Sequence, residues 1–253
     1  MTVIRATSLA AVLTFSTVSS AMAQAGGWLS VNATMNQPAT KSVTQRDQVP
    51  YRSEFFTSSG DYTMKGKPSF DIAGGVRFTR QLGIGIAVSQ FADNEPAQIS
   101  FSVPHPALFN RPANGSGETS ALEQKDTAVH IEARYTVNTP RANVSVFAGP
   151  SHFSSTRELV SDYTYRELLL TPSLTYTVTY TGATTTKDKM SAWGLNVGAD
   201  VGYFFTEKAG VGMLVRYSKA NVDLPNEMTL TSSDSDKLGV GGLSIGGGLR
   251  LRF

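Results

Sequence analysis

Eight stretches of the chain alternate apolar and polar residues with period two, the spacing that sends successive side chains to opposite faces of a strand. The first, WLSVNATM, puts Leu29, Val31, Ala33 and Met35 on one face. The second, FDIAGGVRFT, sets Phe70, Ile72, Val76 and Phe78 against Asp71, Ala73, Gly75 and Arg77. LGIGIAVSQ opposes Leu82, Ile84, Ile86 and Val88 to glycines, Ala87 and Ser89; TAVHIEARYTV opposes Val129, Ile131, Ala133, Tyr135 and Val137 to His130, Glu132, Arg134 and Thr136. NVSVFAGPSHF is the least regular, and its facing is not readable. The clearest is SAWGLNVGADVGYFF, where Trp193, Leu195, Val197, Ala199, Val201, Tyr203 and Phe205 stand against Gly194, Asn196, Gly198, Asp200 and Gly202. The seventh opposes Val211, Met213, Val215 and Tyr217 to Gly212, Leu214, Arg216 and Ser218. In the eighth, GGLSIGGGLRLRF, Leu249, Leu251 and Phe253 alternate with Arg250 and Arg252. No helix-period stripe of useful length competes with these strands.

Connection lengths then separate a soluble sandwich from a membrane barrel. Tight turns near Arg80, Thr139-Pro140 and Glu207-Lys208 alternate strictly with long links over about 37–68, 93–125, 153–189 and 223–236. That parity belongs to a barrel with short periplasmic turns and long outer loops. The expected fold is therefore all-β: an eight-stranded antiparallel up-and-down transmembrane β-barrel with short periplasmic turns and long extracellular loops. The last strand should pair with the first, Trp28 to Met35, to remove both sheet edges.

The faces agree with a bilayer as solvent. The outward faces carry no charge, as the cost of an ion at the bilayer midplane requires. The inward faces carry Asp71, Arg77, His130, Glu132, Arg134, Asp200, Arg216, Arg250 and Arg252. A narrow barrel brings opposite walls within reach, so these residues are expected to form a polar network in the lumen. Phe78, Tyr135, Tyr203, Phe205 and Phe253 should make the periplasmic girdle. Gly194, Gly198 and Gly202 are expected inside, leaving room for arginines opposite.

The N-terminal MTVIRATSLAAVLTFSTVSSAMAQA adds the export route. One basic residue, an uncharged run too short to span and the small residues Ala21 and Ala23 read as a signal peptide over 1–23, with 24–253 the barrel domain. Composition narrows the chemistry further. There is no cysteine for disulfides or thiolate metal sites, and His105, His130 and His152 lack metal-ligand spacing. With 22 basic and 20 acidic residues the chain has almost no field to attract nucleic acid. No catalytic, cofactor-binding or metal site is expected.

GLNVGADVGYFF, VFAGPSHF and the final GGGLRLRF resemble sequences of the bacterial outer-membrane β-barrel superfamily, in particular small eight-stranded barrels of the OmpA/OmpX type. The resemblance covers essentially all of the mature length. It implies a place in the cell outer membrane among lipid, and handling by the barrel-assembly machinery. Gly248, Leu251 and Phe253 resemble the signal which that machinery reads, although Gly246 stands where a polar residue is usual.

Three further motifs bear on function. In HIEAR, His130, Glu132 and Arg134 share the inward face and form either a structural ion network or a polar path. In SHFSSTRE, His152, Ser154 and Glu158 share one face near the outer rim and resemble the residue types of a barrel-type lipid A deacylase. ISFSVPHPALFNRPANGSGE places Ile99, Phe101, Val103, Leu108 and Phe109 in an outer loop. They form either an exposed surface for a hydrophobic ligand or partner, or a loop folded back over the barrel. LTYTVTYTGATTTKD alternates as a hairpin arm continuing the wall above the membrane. The expected role is structural or interactive at the cell surface. Passage of a small hydrophobic solute is the alternative, and lipid-modifying hydrolysis stands behind both.

Overall fold

The computed structural model describes residues 26–223, 229–230 and 237–253. The export segment and most of the connection over 223–236 lie outside the described residues. Among the described residues thirteen strands follow in order: β1 (Gly27–Pro38), β2 (Ser42–Tyr51), β3 (Glu54–Thr63), β4 (Lys67–Arg77), β5 (Leu82–Glu95), β6 (Ala97–Val103) and β7 (Ala113–Glu118). Then come β8 (Leu122–Asn138), β9 (Ala142–Leu170), β10 (Thr175–Phe204), β11 (Ala209–Asp223), β12 (Thr229–Leu230) and β13 (Lys237–Arg252).

Eight of them close into a barrel in the order β1-β13-β11-β10-β9-β8-β5-β4, every neighbour antiparallel. The seam is β13 against β1, with Trp28 opposite Arg252 and Val31 opposite Leu249. Closure leaves the barrel sheet without an edge, the condition for strands to cross hydrocarbon. The alternation read from the sequence is the observed facing. Ile72, Ile84, Ile86, Val129, Leu195, Val197 and Leu249 lie exposed outside, while Ser30, Asn32, Asp71, His130 and Arg216 are buried inside.

The unreadable fifth segment now has a physical reason. Its inward positions include Phe147 and Phe153, both buried, while Pro150 and His152 lie on the outer side. Aromatic rings inside and a polar ring outside erase the contrast that marks the other strands.

The long connections are themselves strands. β9 and β10 are 29 and 30 residues long, far more than a membrane crossing of about 10 residues requires, and their outer parts run on beyond the barrel as a two-stranded arm. The remaining strands form a second sheet, β12-β2-β3-β6-β7. Its inner face packs on the arm around Ile99, Phe101, Val103, Val160 and Val178. Phe101 stacks with Tyr165 at 5.5 Å, and Phe56 with Tyr165 at 5.8 Å. The loop expected to choose between exposure and folding back does neither wholly. Ile99, Phe101 and Val103 are buried under the arm, not over the barrel, while Phe109 is 74% exposed.

Candidate functional site

The lumen is built in layers by the inward residue of each strand. At its centre Arg216 of β11 reaches across to Asp71 of β4 and Glu132 of β8. Glu132 accepts a second hydrogen bond from Arg134 at 2.9 Å. Asp71 accepts one from the Asn32 amide at 3.1 Å, and the Asn32 carbonyl accepts from Arg250 at 2.6 Å. Arg250 then grips Asp200 with two hydrogen bonds of 3.1 and 2.6 Å. A continuous chain thus runs Arg134–Glu132–Arg216–Asp71–Asn32–Arg250–Asp200 from wall to wall. Three guanidiniums meet three carboxylates, so the desolvated charges balance.

Aromatic rings fill the space between. The Arg134 guanidinium lies 3.7 Å from the centre of the Trp28 ring and 4.9 Å from that of Phe147. Trp28 lies flat inside because Gly75 and Gly85 present no Cβ to its ring. Above the ions, His130 bonds Ser151 at 2.7 Å and Ser89 at 3.0 Å, and the Asn196 amide donates to Ser151. Above these lies an apolar layer of Ala128, Phe153, Met190, Ala220, Val222 and Val240.

Two expectations change in detail. Arg77 and Arg252 are expected in the lumen network. Both stand at the periplasmic mouth, where Arg252 donates to the backbone carbonyls of Glu207 and Pro140 and lies 4.1 Å from the Phe204 ring centre. They sit at the end of the strands, where water and turn carbonyls already solvate a guanidinium. The three interior glycines of β10 do not face arginines either. Gly194, Gly198 and Gly202 abut Ala220, Phe147 and Asn143, and Gly212 of β11 admits Arg250. The sequence reading missed Asn32, Trp28 and Phe147. Asn32 was signalled only by its inward parity beside Ser30 and Thr34.

Outside the barrel, His152 packs edge-on against Trp193 at 5.0 Å. The Glu158 carboxylate accepts from Thr185 at 2.6 Å and from the Glu123 amide at 3.1 Å. Those bonds hold its oxygens toward β10 and β8, which lowers its pKa. At the foot of the second sheet, Val43, Tyr62, Met64, Leu122, Arg157 and Leu159 line a recess of about 50 Å³.

The family described as outer membrane protein beta-barrel domain matches residues 7–253. Neisserial surface protein A is 13% identical, with 90% of this chain and 97% of that one covered and a TM-score of 0.44. The N-terminal β-barrel domain of Pseudomonas aeruginosa OprF is 10% identical, covering 90% and 97% with a TM-score of 0.37. Ail, the attachment invasion locus protein of Yersinia pestis, solved with the heparin analogue sucrose octasulfate, is 10% identical, covering 90% and 99% with a TM-score of 0.38. No curated protein matches the sequence. The closed ring of eight strands, its apolar outer belt and the match over nearly the whole length lead to one conclusion: the chain is an outer-membrane protein and belongs to the outer membrane protein beta-barrel domain family.

Proposed function

We propose that the barrel is a closed carrier and that the protein works by contact at the cell surface, neither passing solutes nor catalysing a reaction. One observation carries the reading: a balanced chain of buried ions crosses the lumen, while the outer connections fold into a sandwich of their own. Under this reading Asp71, His130, Glu132, Arg134, Asp200, Arg216 and Arg250 are a plug. Gly248, Leu251 and Phe253 serve assembly rather than the mature function.

The conductance test is direct. Planar bilayers holding the purified protein are expected to show no large, stable, porin-like steps, and steady open channels would end the reading. The hydrophobic-solute alternative finds its path through the lumen filled by the ion chain and the apolar layer above it. The recess of about 50 Å³ holds only a few waters, and the wider groove of about 470 Å³ on the second sheet is open and lined mostly by serine, threonine and asparagine. The hydrolase alternative lacks a poised base, since His152 rests on Trp193 and Glu158 is held elsewhere. Expression in a host with intact lipid A should leave its mass spectrum unchanged, and His152→Ala should make no difference. Loss of an acyl chain with the parent but not with His152→Ala would establish an enzyme.

A further inference from the structure

The sandwich ends, far from the barrel, in three turns that carry apolar side chains outward. They are the β2–β3 turn at Arg52, the β6–β7 loop over 104–112 and the β9–β10 turn over 171–174. Phe55, Phe109, Leu168, Leu169, Leu170 and Leu174 are all exposed there, Phe109 by 74% and Leu168 by 53%. They lie beyond the protein's own bilayer. From His152, level with Trp193 in the lipid-facing belt, to Leu169 the strand covers about 55 Å at 3.3 Å per residue. A hydrocarbon core is only about 30 Å thick. The outward stretch between them passes through Ser154, Glu158, Asp162, Thr164 and Arg166, which belong in water.

The three turns are bolted into one body. Arg52 donates to the Pro106 carbonyl at 2.6 Å, and the Asn110 amide donates to Glu54 at 2.8 Å. His105 donates through Nε2 to the Leu174 carbonyl at 3.0 Å, while its Nδ1 accepts from the amides of Ala107 and Leu108 at 3.0 and 2.9 Å. Ser173 donates to the Leu170 carbonyl at 3.2 Å. Each turn also holds one non-glycine residue in the left-handed region: Arg52, Asn110 and Leu174, with φ of 58°, 58° and 52°. Left-handed backbone is unfavourable for a residue with a Cβ, so a leucine kept there is held by its surroundings.

We infer that this crown is a lipid-inserting tip, which docks the protein onto a phospholipid bilayer facing the cell surface. The inference rests on the contact role proposed above and names its partner. Entry into lipid favours backbone polar groups that are already satisfied, and the bonds above satisfy the amides of Ala107, Leu108 and Asn110 and the carbonyls of Pro106, Leu170 and Leu174. Prolines at 104, 106, 112 and 172 remove four further N–H donors. Phenylalanine and leucine at the ends of turns present convex points, which suit an interface that yields around them. Three guanidiniums, Arg52, Arg111 and Arg166, accompany the apolar residues against two carboxylates, Glu54 and Glu167. That excess complements lipid phosphates and disfavours a second copy of the same crown, which would bring like charges together.

The test uses the full chain in zwitterionic nanodiscs, mixed with vesicles of phosphatidylcholine or of phosphatidylcholine with phosphatidylglycerol, and reads co-flotation. The parent should float with both and more strongly with the anionic ones. Phe109→Ser with Leu168→Ser and Leu170→Ser should lose binding to both by at least about tenfold, since one buried apolar side chain alone is worth that factor. Arg111→Gln with Arg166→Gln should abolish the anionic preference and keep binding to phosphatidylcholine. Heat-modifiable gel migration reports that the barrel is folded, and Phe109→Ser alone, on an exposed loop, serves if the triple variant misfolds. No flotation of the parent, or undiminished flotation of the folded serine variants, overturns the inference. Clustering of the loaded nanodiscs that an excess of empty nanodiscs of the same lipid does not disperse also overturns it and makes a second copy the occupant. Porin-like steps in a planar bilayer would remove the closed-carrier reading by a separate measurement.

Discussion

Replacing Arg216 by methionine should cost about 3–5 kcal/mol of folded barrel, the penalty for stranding buried charge. Arg216 is 2% exposed and is the group that ties Asp71 to Glu132 across the lumen. Methionine fills comparable space, so packing changes little while Asp71 loses its counter-ion and Glu132 keeps only Arg134. The check is urea-induced unfolding of the protein in lipid, followed by the shift in gel migration. Adding Asp71→Asn to the same chain should recover most of the loss, because Glu132 keeps Arg134 and no buried charge is then left uncompensated. If the single variant unfolds at the parent's urea concentration, the ion chain is not what holds the lumen together.

A comparable loss is expected from one added residue after Gly248. In β13, Arg250 and Arg252 alternate with Leu249 and Leu251, and β1 and β11 fix the register on either side. A one-residue slip carries both arginines to the lipid face and Leu249 and Leu251 into the lumen. Each arginine near the bilayer midplane would cost about 2–4 kcal/mol, falling toward the interface. Arg250 would also abandon Asp200 and Asn32. The insertion variant should accumulate unfolded in the periplasm, whereas Phe253→Ala should reduce assembly less, since it changes one ring and no facing. Normal heat-modifiable migration of the insertion variant in outer-membrane fractions would show that this register does not govern assembly.

The barrel was legible because lipid and lumen demand opposite residue types at every second position, and a one-dimensional alternation records that demand. Strand number, pairing order and the sealing of β13 on β1 all follow from it. The outer sheet was not legible for the converse reason. β7 reads ANGSGE, with glycines facing inward because the rings of Phe101 and Tyr180 occupy the space where side chains would stand. β2 and β3 meet water on one face and a mixed polar core on the other, so Thr, Ser, Gln and Asp appear on both. Within the lumen, charged residues announced themselves and Asn32 did not, although it joins the two halves of the ion chain. Parity could place Arg77 and Arg252 inside, but only the turn positions reveal that the mouth lies beside them.

The ion chain also bears on how this barrel can form. Arg216 lies 145 residues from Asp71 and 84 from Glu132 along the chain, and Arg250 lies 218 from Asn32. None of these contacts exists in a hairpin or in a half-built sheet, because their strands face each other only after the ring has come round on itself. A growing sheet would carry unmatched guanidiniums and carboxylates on its concave side until the last strand arrives. Partial insertion into lipid is then the least favourable state available to the chain, and the neutralising contacts arrive together at closure. Such long-range contacts slow folding, and they make it all-or-none. The same transverse struts that fill the finished lumen would therefore leave few half-inserted forms for a cell to clear.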